Sequence, residues 1–123
     1  MANIEEINKA IAAHGVWKQR LRQAIDSGAS EFTVENVQPD NRCDFGRWLN
    51  SLPVGDKSCE HWKNVQGLHA RFHIEAARIL NLAIQGNQQE AEKALAFDSQ
   101  FANLSAMLTS SMVKWKAHLG VKN

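Results

Sequence analysis

From the first residues, apolar side chains recur at spacings of three and four. Ile4, Ile7, Ile11, His14, Trp17 or Lys18, Leu21 and Ile25 form one stripe, the pattern of a helix that buries one face. Gly28 is its natural C-cap. Both prolines, Pro39 and Pro53, fall in the next stretch, so residues 29–42 read as an irregular connection with Phe32 and Val34 pinned to the core. A short helix is predicted from Cys43-Asp44 through Phe45, Trp48 and Leu49, stopped by Ser-Leu-Pro at Pro53. The stripe resumes from about Ser58 as Trp62, Val65, His69, Phe72, Ala76, Ile79 or Leu80, and Ala83, until Gly86 and Asn87 break it. A last helix, from about Gln88 to His118, turns Ala91, Ala94 or Leu95, Phe97, Phe101, Leu104, Leu108, Met112 and Trp115 inward.

Long helices joined by a turn as short as Gly86-Asn87 pack most simply as an antiparallel bundle. The predicted fold is therefore all-α: three long helices and one short, cysteine-bearing helix around a single core. With 123 residues, the chain fits one domain, residues 1–123, with its core at about 4–119. The 14-residue connection before the short helix is long enough to require a reason.

Charge removes several classes of function. Fourteen Lys+Arg against 13 Asp+Glu leave a net charge of +1, so nothing draws the chain to nucleic acid or an anionic membrane. No apolar run reaches the roughly 20 residues of a membrane helix. The acidic N-terminus, Met-Ala-Asn-Ile-Glu-Glu-Ile, is not a secretory signal, and a cytoplasmic location is expected. There a pair of cysteines serves as thiols or metal ligands rather than as a disulfide scaffold. The unusual entries are four Trp and five His beside two Cys and no Tyr.

His14 sits on the apolar stripe of the first helix, where both ring nitrogens need partners. His69 and His73, one turn apart on the buried face of the second long helix, can converge on one point. With Cys43 opening a short helix that packs on the same bundle, they supply an N3S donor set of the kind zinc takes in tetrahedral geometry. Taken singly, a core histidine is more often bonded to a carbonyl or carboxylate than to a metal, and a lone cysteine is a small hydrophobe. Gly15, Gly67 and Gly46 suggest close backbone approach near such a site, or are incidental. Trp17 and Trp48 are candidates for its walls, while Cys59, His61, His118, Trp62 and Trp115 read as structural or solvent-facing.

Three elements, His14-Gly-Val-Trp17, Cys43-Asp-Phe-Gly46-Arg-Trp48-Leu49 and Leu68-His69-Ala-Arg-Phe72-His73, together resemble the chemoreceptor zinc-binding domain of bacterial signalling proteins, over roughly residues 4–119. The resemblance implies a helical bundle with zinc held by His14, Cys43, His69 and His73. It also implies a sensor, often dimeric, attached to chemoreceptor or diguanylate cyclase regions, that reads zinc or oxidants such as hypochlorous acid. A homodimer is expected from this resemblance. With no coiled-coil signalling region or cyclase sequence up to Asn123, the chain is expected to be either a free-standing member that signals through a partner in trans or an excised domain.

The expected mechanism centres on Cys43. Held by zinc as a thiolate, it is oxidisable, and oxidation to sulfenate would weaken the sulfur donor and free the 29–52 segment. A sensor of zinc availability and a purely structural zinc are the alternatives. An enzyme is disfavoured: Ala70 stands where a zincin needs glutamate, and four protein donors leave no open position for water. Di-iron and haem sites lack the required pairings or pocket.

Overall fold

The computed structural model describes residues 3–41 and 43–121, which form eight helices and no strand. The first predicted helix is two: α1 (Ile4–Gly15) and α2 (Trp17–Ser27), interrupted at Val16. Asn3 caps α1 by accepting the Glu6 N–H at 2.9 Å, and Gly28 closes α2 in the left-handed conformation (φ 72°) that glycine adopts without strain.

The 29–42 connection contains a four-residue helix, α3 (Val34–Val37), capped by Thr33. The short helix α4 (Asp44–Ser51) forms where predicted, and a further turn, α5 (Val54–Lys57), follows Pro53. The long α6 (Glu60–Ile84) is continuous. The last predicted helix is also two, α7 (Gln88–Leu95) and α8 (Gln100–Val121). Ser99 starts α8 as an N-cap, its Oγ accepting the Ala102 N–H at 3.2 Å. The turn between them pushes Phe97 outward, and at 87% exposure it is not the core residue its spacing predicts.

The helix α6 is the hub, packed along α8 and against α2, α3 and α7. Asn8 accepts from Lys116 at 2.9 Å and His61 lies beside His118, so the starts of α1 and α6 share one end of the bundle with the end of α8. Gln88 reaches the Ile25 carbonyl at the opposite end. Hence α8 runs antiparallel to both α1–α2 and α6, which run the same way.

That topology is the reason for the long connection. The segment must carry the chain back down the bundle, and its contacts with α6 descend in order: Val37 at His73, Cys43 at His69 and Leu49 at Trp62. It is a strap laid against α6, with Val37, Phe45, Leu49 and Leu52 all buried. None of the described helices is long and apolar enough to cross a membrane.

Candidate metal centre

Three segments bring four donors together in the middle of the bundle. His14 comes from the last turn of α1, Cys43 from the N-cap of α4, and His69 and His73 from successive turns of α6. One donor atom from each lies within 4.8 Å of the others, and the three imidazoles are buried. Cys43 Sγ stands 3.3 Å from His69 Nε2 and 3.5 Å from His73 Nε2, and the two Nε2 atoms are 3.0 Å apart.

Backbone carbonyls set the tautomers. His14 Nδ1 lies 2.8 Å from the Ala10 carbonyl and His73 Nδ1 2.8 Å from that of Val37. A carbonyl only accepts, so both Nδ1 atoms carry the proton and both Nε2 atoms present lone pairs. His14 Nε2 is buried with no hydrogen-bond partner among the described residues. An orphaned buried acceptor is costly in a dry interior, and a cation among the four donors answers it.

The distances fit zinc. Bonds of about 2.0–2.1 Å to nitrogen and 2.3 Å to sulfur, arranged tetrahedrally, imply edges of about 3.3 Å between nitrogens and 3.6 Å from nitrogen to sulfur. The three edges joining Cys43, His69 and His73 lie within a few tenths of an ångström of these values, and His14, within 4.8 Å of the other donors, has only to draw in to close the fourth corner.

Electrostatics favours the same charge states. Burial pushes the His14 pKa down to about 4, with nearby His73 and Arg20 adding to the effect and the Ala10 carbonyl opposing it. His69 falls to about 2, again chiefly through burial. His73 is lowered by burial against the Val37 carbonyl and Asp40. The imidazoles are therefore neutral, as metal ligands must be. Burial raises the Cys43 thiol, opposed first by the Gly46 N–H, which donates to Sγ at 3.3 Å. Without a cation the sulfur stays protonated.

The family model described as the chemoreceptor zinc-binding domain, CZB, matches residues 14–80. This chain belongs to the CZB family. The match covers more than half of the chain and contains all four donors. Family and donor cluster together support zinc as the cofactor of this CZB domain. Comparisons with curated proteins and with solved structures found no match.

The immediate walls of the CZB centre are phenylalanines. Phe45 lies edge-on to His14 and His69, at 5.8 and 5.2 Å between ring centres, and Phe72 lies 5.3 Å from His14. Trp48 reaches the centre by stacking on Phe45 at 5.7 Å, and Trp17 packs on Phe32 while lining the groove above His14 and Cys43. Phe45 lies inside the Cys-x-Phe-Gly element and Phe72 on the α6 stripe, so both were visible in the sequence without a sign of their contact.

Of the three glycines, one has the proposed role. A Cβ on Gly46 would collide with the Asp40 carbonyl, whereas nothing lies within 4 Å of one on Gly15 or Gly67. Gly15 instead marks the end of α1. Gln66 donates to Asp40 at 2.9 Å, clipping the strap to α6 one turn before His69. Cys59 precedes α6 outside the donor cluster, and His61 and His118 pair with each other, 4.8 Å between ring centres.

Proposed function

We propose that His14, Cys43, His69 and His73 hold one zinc ion, and that the domain is a non-enzymatic sensor whose signal is oxidation of Cys43. The observation that carries this reading is the asymmetry of the donor set. The histidines stand on packed helices with two of their rings fixed by backbone carbonyls, while the one sulfur sits at the N-cap of a short helix on the strap.

When bound, zinc stabilises the sulfur as a thiolate, the nucleophilic form that burial alone would suppress. The Gly46 N–H and the start of α4 also favour that charge. A two-electron oxidant of the hypochlorous acid type converts the thiolate to a sulfenate, which is a harder and weaker donor. The strap then loses its hold at Cys43 while the Asp40–Gln66 and Leu49–Trp62 bonds remain as its hinges. In this reading the domain works in the cytoplasm as a homodimer and passes the change to a chemoreceptor or diguanylate cyclase partner.

Hydrogen exchange of the zinc-loaded protein before and after one equivalent of hypochlorite tests the switch. Residues 37–52 should lose protection in the wild type and not in Cys43→Ala. An equal response in folded Cys43→Ala refutes it. A response that follows zinc removal but not oxidation would make the domain a sensor of zinc availability instead.

A further inference from the structure

A groove of about 740 Å³ opens beside the metal centre, between α1–α2 on one side and α3–α4 on the other. Its volume lies in the range of small-molecule sites, roughly 300–1,000 Å³. The apolar floor includes Trp17, Phe32, Val37 and Phe45, and its inner end is formed by His14, Cys43 and His73.

The rim carries charge of both signs, and most of it cancels. Lys9 pairs with Glu6 at 3.3 Å and Arg47 with Asp44 at 3.3 Å. Arg20 is different: among the described residues it has no carboxylate partner. Its guanidinium carbon lies over the rings of both Trp17 and Phe32, at 5.0 and 4.9 Å from their centres. Rings stacked on a guanidinium leave its edge N–H donors available, in the fork that matches a carboxylate. The stacking also preorganises the side chain, which lowers the cost of binding.

We propose that this groove binds a small organic anion, with its carboxylate on the edge of Arg20 and an apolar or aromatic body against Trp17 and Phe32. Such a ligand covers the approach to Cys43, so its occupancy also slows attack on the sulfur. The binding claim stands without the sensory reading; the protection claim rests on it.

Titration of the zinc-loaded full chain with acetate, benzoate and indole-3-acetate, each paired with its neutral amide and followed by calorimetry, tests the proposal. Zinc content is measured on the same samples, so loss of the centre is distinguished from loss of the groove. Benzoate or indole-3-acetate should bind saturably with 1:1 stoichiometry and at least tenfold more tightly than its amide. Arg20→Gln should weaken that binding at least tenfold with zinc content unchanged, Arg20→Lys by less, and Arg47→Gln hardly at all. Unchanged binding to Arg20→Gln means that the carboxylate sits elsewhere, the metal included, and overturns the proposal. So does equal affinity for acid and amide, or no saturable binding of any of the three acids at millimolar concentration.

Discussion

Alanine at position 46 sets two opposed effects against each other. In a helix interior, glycine to alanine gains up to about 1 kcal/mol from propensity and reduced backbone entropy. Here the added Cβ would lie 2.7 Å from the Asp40 carbonyl carbon, closer still to its oxygen, and 3.2 Å from Asn41 Cα. All three are backbone atoms, so no rotamer change relieves the clash. Overpacking of this kind costs about 1–3 kcal/mol, which exceeds the gain, and it acts on the segment that positions Cys43. Gly46→Ala should therefore destabilise the folded chain by about 1–2 kcal/mol net and weaken zinc binding at least tenfold. Gly67→Ala is the matched control. It lies inside α6 with nothing within 4 Å of the new Cβ, and it should stabilise by about 0.5–1 kcal/mol with zinc affinity unchanged. Thermal unfolding of the zinc-loaded and chelated forms, with a competition titration for affinity, measures both variants. If Gly46→Ala proves as stable as Gly67→Ala and binds zinc normally, the strap's close approach does not position the cysteine.

Chelated protein should lose stability as pH falls from 6.5 toward 4. An unfolded histidine takes its proton near 6.5, whereas folded His14 resists until about 4, so His14 alone withdraws about 3 kcal/mol across that window. His69, lowered further, adds to the loss. Circular dichroism at fixed temperature checks this, and a flat profile would contradict it. Trp62→Phe removes the 3.1 Å bond that Nε1–H donates to the Leu49 carbonyl and should cost about 1–2 kcal/mol, with hydrogen exchange accelerated in α4 before α6. Titration with a bulky aromatic disulfide reagent should find Cys43 shielded by its metal bond and the surrounding bundle while zinc is bound, and modified after chelation. Hypochlorite, small enough to reach the sulfur, should oxidise the zinc-bound thiolate, and Cys59 should react alike in both states.

The helix stripes and the three histidines were legible from spacing, because both express the 3.6-residue period and the convergence of positions four apart. Cys43 was reached through its place at the start of the short helix and through the resemblance. The breaks were not. At Val16 the apolar spacing continues through the interruption from His14 to Trp17, and at 96–99 Phe97 keeps the phase of a helix that has ended. The Asp98-Ser99 pair was the available signal for a new N-cap. Helices as short as α3 and α5 are too brief to show a period. The strap's course depends on α1–α2 and α6 running the same way, a long-range fact that local pattern does not carry. The orientation of His14 and His73 by the Ala10 and Val37 carbonyls was invisible for a related reason. Backbone groups are common to every residue, so their role appears only once the chain is folded. Gly15 and Gly67 show the converse limit, since a glycine near a ligand implies close approach only where a neighbouring backbone arrives, as Asp40 does at Gly46.

Zinc stoichiometry and affinity of the purified chain, set beside those of His14→Ala, Cys43→Ala, His69→Ala and His73→Ala, test the central claim most directly. One zinc per wild-type chain is expected, with affinity reduced at least tenfold in each variant. Folded wild-type protein that takes up no zinc, or any one of the four replacements that leaves affinity unchanged, would contradict the assignment of the centre.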